Sequence, residues 1–324
     1  MTGITITGLV KRYGRTPVLT DISVQLAPGR IHGLLGANGV GKTTLLACLC
    51  RHTFATAGTV LIDGIDPAVD STVLARTCFI REDQRYPDQF RLGTVLEVAP
   101  AFYPTWDPGV AARLIERFRL PLATRAKKLS RGQRSALAIT IALASGAPYT
   151  VLDEPYLGLD AGARAIFYEE LLVAYGAAAD DAVRRTFIVS THLVDEAAEL
   201  LEEVVLLDSG RLVFAGSTED ASTLAFRARG GRDAVHTVAA GRSVVEERSL
   251  GPVLTAVVLG PVSAQDHARA GYAGVELSPL TLQELVAVVG EHRLGAQLAA
   301  PWRGSTPAPQ PLTCGSASSG KDPS

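Results

Sequence analysis

The chain has 324 residues, 47% of them hydrophobic and 20% charged, with a formal net charge of −2. That composition suits a globular protein with one large domain and room for a second, and it excludes a global basic field for gripping nucleic acid. The four cysteines, Cys48, Cys50, Cys78 and Cys314, form neither a CxxC pair nor a metal-ligand set, so free thiols in a reducing compartment are expected.

The opening MTGITITGLVKRYG has no basic region leading into an apolar run, so no signal peptide is expected. Ile4 and Ile6 alternate with Thr5 and Thr7, and Ile22, Val24 and Leu26 alternate again, so two strands are predicted. Pro28-Gly29 turns the chain into IHGLL, a buried strand from Ile31 to Leu35. GANGVGKTT and the helix former LLACLC follow. After Gly58, VLIDG reads as a strand ending in a turn at Asp63-Gly64. Cys78 to Arg81 reads as the end of another short buried strand, followed by a charged cluster of Glu82, Asp83, Gln84 and Arg85 before Pro87.

From about 87 to 143 the pattern is mostly helical. The apolar run from Ser135 is broken by Gly146, Ala147 and Pro148 into a helix and the strand YTVLD, each too short to span a bilayer. AGARAIFYEELLVAYG has helical spacing, RTFIVST reads as a strand, LVDEAAELLEE as a helix, and VVLLDSGRLVFAG as a hairpin around Asp208-Ser209-Gly210. Strands alternating with helices predict a mostly parallel α/β sheet. Beyond about Thr218, RARGGRD and AAGRS read as loose, followed by weak strands and a helix in SPLTLQELVAVVGEH. A small α/β appendage is expected over 218–300. The Pro-, Ser- and Gly-rich tail over 301–324 is expected to be disordered.

Two segments carry chemistry on their residues alone. Gly36 to Thr43 fits G-x-x-x-x-G-K-[ST] at every fixed position, between a buried strand and a helix. Glycines let successive backbone N–H groups turn inward onto phosphate oxygens, and the helix that follows adds its positive end. Lys42 would place a full charge on the β- and γ-phosphates, and the Thr43 hydroxyl would ligate Mg²⁺. In TVLDEP, Asp153 stands at the carboxyl end of a strand, where ligands bind in open α/β sheets. It would hold the metal directly or through water, and Glu154 would polarise the attacking water.

LSRGQ (Leu129 to Gln133), YLGLD (Tyr156 to Asp160) and STHLVDE (Ser190 to Glu196) follow in an order and spacing that resemble the nucleotide-binding subunit of ATP-binding cassette (ABC) transporters. The resemblance spans about residues 4 to 217. In SRGQRSALAI, LDEPYLGLDAGAR and VSTHLVDEAAELLE the wording is most similar to bacterial YtrB-type cassettes.

The resemblance implies a P-loop NTPase of the ABC type over 1–217: a parallel-sheet core, an antiparallel β subdomain and a helical subdomain at about 87–143. It implies that ATP is held by Tyr13 stacked on adenine and by Gly36, Ala37, Asn38, Gly39, Val40, Gly41, Lys42, Thr43 and Thr44. Ser130, Gly132 and Gln133 of the signature would face ATP held by another protomer, and Asp160 would communicate across the dimer. His192 would contact the γ-phosphate and help hold Glu154.

Two departures stand out. Arg131 replaces the middle glycine of the family's LSGGQ. The glutamine expected to touch Mg²⁺ after the short strand falls by count on Glu82, with Gln84 two residues later. Gln84 is preferred as the third metal ligand beside Thr43 and Asp153, with Glu82 the alternative.

One phosphate loop and one signature per chain imply a homodimer, or a heterodimer with a second ABC subunit. The resemblance to transporter subunits further implies a separately encoded membrane permease, docked around Phe102 to Trp106. The expected protein is an ATP-hydrolysing subunit, cytoplasmic and peripheral on the membrane's inner face, powering transport, with export favoured. An ABC ATPase acting on ribosomes or DNA is the alternative. It is disfavoured by the single cassette and by the missing basic face, so no nucleic acid is expected. The transported substrate is not legible.

Overall fold

The structure is a computed structural model that describes residues 2–177 and 184–292, together with 294 and 298. The tail over 301–324, with Cys314, lies outside the described residues.

Three sheets organise the chain. The first is antiparallel. It joins β1 (Ile4–Tyr13), β2 (Thr16–Leu26) and β4 (Ala57–Ile62) in the order β2-β1-β4, and their inward apolar residues pack over α1 (Lys42–Leu49). At the turn after β4, Asp63 and Gly64 both take positive φ, as the Asp-Gly pair predicts.

The central sheet has six strands. In spatial order they are β5 (Thr77–Ile80), β6 (Tyr149–Asp153), β7 (Thr186–Ser190), β3 (Ile31–Leu35), β8 (Glu203–Asp208) and β9 (Arg211–Ser217). All neighbours are parallel except β8 and β9, whose hairpin turns at Ser209 and Gly210. Strands β3, β6 and β7 are buried at every position, which explains why they read as apolar runs rather than alternations. The order places β7 between β6 and β3, so the carboxyl ends of all three stand side by side.

The helical segment between β5 and β6 contains α2 (Leu92–Val98), α3 (Pro108–Arg117) and α4 (Arg131–Ala144). Asp107 caps α3 and Pro108 opens it. Trp106 and Tyr103 pack against the core, whereas Phe102 is 68% exposed. Helix α5 (Ala161–Gly176) is fastened to α3 by Glu170, a buried carboxylate gripped by Arg113 and Arg117; burial pushes its pKa up, but these cations outweigh it and hold the group below the usual range.

Two expectations are corrected. The segment LVDEAAELLEE forms only one helical turn, α6 (Val194–Ala197). The chain must leave the helix there. Leu201 packs tightly under Gly33, and Glu202 accepts the Ile31 N–H at 3.1 Å while pairing with Arg30, so the segment turns directly into β8. Second, the segment read as loose contains β10 (Ala225–Gly231) and α8 (Arg232–Ala239), preceded by α7 (Thr218–Ser222). Phe226 and Ala228 point inward and Arg229 outward, a period of two that the glycines and arginines obscured.

After α8 come β11 (Val244–Leu250), β12 (Val253–Leu259), α9 (Ala264–Ala273) and β13 (Glu276–Pro279). Their sheet runs β11-β12-β10-β13, all antiparallel, giving a β-α-β-β-α-β unit of ferredoxin-like topology. Helix α10 (Leu282–His292) follows. It does not pack as part of a detached appendage: Leu282, Leu285, Val288 and Val289 are buried in the same core as the central sheet and the helical segment. Each such side chain contributes about 1.5–3 kcal/mol relative to exposure, which fastens α10 to the main body.

Candidate functional site

The loop Gly36–Gly41 leaves β3 and enters α1. Gly36 has φ of 145°, and a Cβ there would fall 2.5 Å from the Leu207 carbonyl oxygen, so only glycine lets the loop pass so close to β8. Ala37, Asn38 and Gly39 are exposed at the rim, and Val40 packs inward. The start of α1 has no side-chain cap and no acid in its first turn, so its N–H groups are left for an anion. Lys42 is 6% exposed, and its Nζ donates to Gly36 O at 2.7 Å and Ala37 O at 3.2 Å. Burial pulls the ammonium's pKa down, while Glu154 and Asp153 pull it back up.

Across the sheet, Asp153 ends β6. Its Oδ1 accepts from the Ser190 hydroxyl at 2.7 Å, and the Thr43 hydroxyl lies near enough to the same carboxylate to favour its charged form. Its Oδ2 is buried without a partner. Burial raises the carboxyl's pKa, with Ser190 and Thr43 opposing. An unpartnered carboxylate oxygen beside a threonine hydroxyl is a fitting donor set for a hard dication such as Mg²⁺.

Glu154 follows, buried, with a φ of 50°. A non-glycine residue held there is strained, as is common where a side chain must be aimed. His192 Nδ1 lies 2.7 Å from its Oε2, and the Tyr156 hydroxyl 2.5 Å from the same oxygen. Tyr156 also accepts the His192 backbone N–H at 3.0 Å and bonds the Thr191 hydroxyl at 2.6 Å. Its phenol is pushed well above its ordinary pKa, by burial first and then by Glu154, so it stays a donor.

Sequence reasoning passed over Tyr156. The available signal was an aromatic hydroxyl directly after Asp-Glu-Pro, at a position the fold buries and whose O–H therefore needs a partner. Tyr156 is a positioning residue for Glu154. Tyr156→Phe is expected to leave ATP affinity within about twofold and lower kcat about tenfold, the cost of one lost hydrogen bond to a buried carboxylate. Binding and single-turnover measurements check it; an equal effect on both, or none, rules the role out.

The remaining candidate residues are spread over the surface. Tyr13 ends β1, 53% exposed, with Lys11 Nζ 4.6 Å from its ring centre. Ser130 caps α4 in a reciprocal capping box with Gln133. Gly132 packs so closely that a Cβ would meet the Gly158 carbonyl at 2.4 Å, and the Ser135 hydroxyl donates to Leu157 O at 2.6 Å. These contacts join the LSRGQ turn to the loop ending in Asp160, which caps α5 through the Ala163 N–H. Thus the loop, Asp153, Glu154 and His192 come together in one site, whereas Ser130, Gly132, Gln133 and Asp160 form a second cluster. Gln84 is half-buried, and Glu82 is engaged elsewhere, 2.8 Å from Arg131. The two departures from the motif pattern are therefore each other's partners.

Loop, sheet order and strand-end carboxylates define a P-loop nucleotide-binding protein. A model of the ABC transporter family matches residues 19–157. The ATP-binding protein YtrB of Bacillus subtilis is 27% identical over 63% of this chain and 68% of its own length. The Nod factor export ATP-binding protein I of Ralstonia nicotianae is 30% identical over 68% of each chain. The sulfate/thiosulfate import ATP-binding protein CysA of Caulobacter vibrioides is 33% identical over 69% of this chain and 68% of its own. A solved ATP-binding subunit of an ABC transporter superposes with a TM-score of 0.61 at 24% identity, over 68% of this chain and 92% of that one. The chain belongs to the ABC transporter family of ATP-binding proteins. It is a nucleotide-binding, ATP-hydrolysing subunit that powers transport.

Proposed function

We propose that ATP is bound and hydrolysed between two such subunits. Residues Gly36 to Thr44 of one subunit cradle the triphosphate, Tyr13 stacks on the adenine, and Ser130, Gly132 and Gln133 of the other close over the γ-phosphate, with Asp160 relaying across the interface. Thr43, Asp153 and Gln84 would hold Mg²⁺, which when bound offsets phosphate charge. Glu82, already paired with Arg131, is the weaker alternative. Glu154 orients and polarises water, and His192 and Tyr156 fix Glu154. The observation that carries this reading is the buried, strained Glu154 held by two donors beside the unpartnered Asp153 oxygen. When γ-phosphate contacts are lost, the subunits part, and that motion is the output.

The motion would drive a separately encoded permease, with this chain peripheral on the membrane's cytoplasmic face. No helix among the described residues is long and apolar enough to cross a membrane. The exposed Phe102 supports docking through the helical segment. Export is the favoured direction, in line with the name of the Nod factor relative, although the sulfate relative is named an importer. Isolation from the native membrane tests the transport reading. Recovery with a polytopic partner that stimulates ATP hydrolysis is the expected result; copurifying ribosomes would overturn it.

A further inference from the structure

A cleft of about 380 Å³ opens beside the phosphate loop. Ala37 and Asn38 form one wall and His192 a second; the third is a face of α10 that carries Ala287, Gly290 and Glu291. Helix α10 approaches the loop closely, since a Cβ on Gly290 would lie 3.6 Å from Ala37 Cβ. Its opposite face is buried in the main core, so α10 is a fixed wall rather than a lid. Any segment that closes over a γ-phosphate held between the loop and His192 must pass along the remaining face.

That face has a definite chemistry. Small residues leave room for backbone approach. It ends at exposed Glu291, where the last carbonyls of α10 add partial negative charge. Among the described residues the Glu291 side chain makes no hydrogen bond or ion pair, although its carboxylate lies near Glu246 and His292. Glu246 of β11 stands in the same corner with His292, their ligand atoms all within 4.8 Å of those of Glu291, and Arg248 engages Glu246. The complementary group is on the signature turn of the same chain. Arg131 opens α4 with its side chain 58% exposed, and its only ionic partner among the described residues is the half-exposed Glu82. An exposed pair of this kind is weak and readily exchanged.

We propose that α10 is a docking wall for a second copy of this chain, and that Arg131 of each copy leaves Glu82 to meet Glu291 and the end of α10 in the other as the ATP sites close. The inference rests on the two-subunit reading above. It gives the C-terminal unit a place in the catalytic interface and accounts for a cation where the family motif has glycine.

The test is a charge reversal in the full chain carrying Glu154→Gln, with ATP and Mg²⁺, reading the dimer dissociation constant by sedimentation. Glu291→Arg and Arg131→Glu are each expected to weaken dimerisation about tenfold or more by placing like charges together, and the double variant to recover to within about threefold of the parent. Should a reversed variant fold poorly, Glu291→Gln serves instead. It is expected to weaken the dimer about threefold and to abolish any further effect of Arg131→Gln. Strictly additive effects, or none, overturn the docking wall alone. A parent that binds ATP yet stays monomeric overturns the two-subunit reading and the inference with it.

Discussion

Glu154→Gln is expected to bind ATP as tightly as the native chain and to hydrolyse it about two to four orders of magnitude more slowly, the usual worth of a positioned general base. The substitution keeps shape and hydrogen bonding. Tyr156 can still donate to the amide oxygen, and the left-handed backbone at position 154 is no worse for Gln than for Glu. What disappears is the negative charge that draws a proton from water. Binding has no reason to suffer, because a carboxylate close to the bound phosphates repels them and its removal relieves that repulsion. The variant should therefore accumulate as an ATP-bound dimer, seen as a shift in sedimentation on adding ATP and Mg²⁺ and as a loss of phosphate release. Wild-type phosphate release would remove Glu154 from the chemistry.

The parts of this site that were legible in the sequence are those whose function needs a fixed residue at a fixed spacing. The phosphate loop was readable because its turn tolerates only glycine at points such as Gly36 and needs Lys42 and Thr43 at set offsets. Asp153 and Glu154 were readable because two acids directly after the apolar run YTVL mark the carboxyl end of a strand, where ligands bind in open α/β sheets. Tyr156 was not, since an aromatic after Pro155 carries no chemical signal by itself, and its hydroxyl contacts with Thr191 and His192 arise only when β6 and β7 lie side by side. The Glu82–Arg131 pair was invisible for the same reason, with the partners 49 positions apart. In the C-terminal part, two strands and the last helix could be read from apolar periodicity. The adjacency of α10 to the phosphate loop could not, because it depends on how a whole four-stranded sheet is set against the core.

Lys42→Met is expected to cost at least about a hundredfold in ATP affinity and to abolish measurable turnover. The methylene stem of Met fills the buried channel, so the loss is one of charge. In the native site Lys42 is the cation among buried groups of opposite sign, with Asp153 and Glu154 both close enough to raise its pKa. A triphosphate brings further negative charge to a place where water is largely excluded and the screening of charge is poor. Without the ammonium, Asp153 and Glu154 repel the ligand unopposed, and the carbonyls of Gly36 and Ala37 lose the donor that holds the loop.

The sign of a second effect follows. Lys42 lowers the pKa of Asp153, which burial has already raised. Its removal lets that pKa climb further, so the residual affinity for Mg²⁺ should fall as pH is lowered, and the midpoint should sit higher than in the native chain. Isothermal titration with ATP, and with Mg²⁺ across a pH series, measures both. An affinity within a few-fold of native would mean that backbone N–H groups alone hold the phosphates, and an unmoved Mg²⁺ midpoint would mean that Asp153 does not feel the lysine.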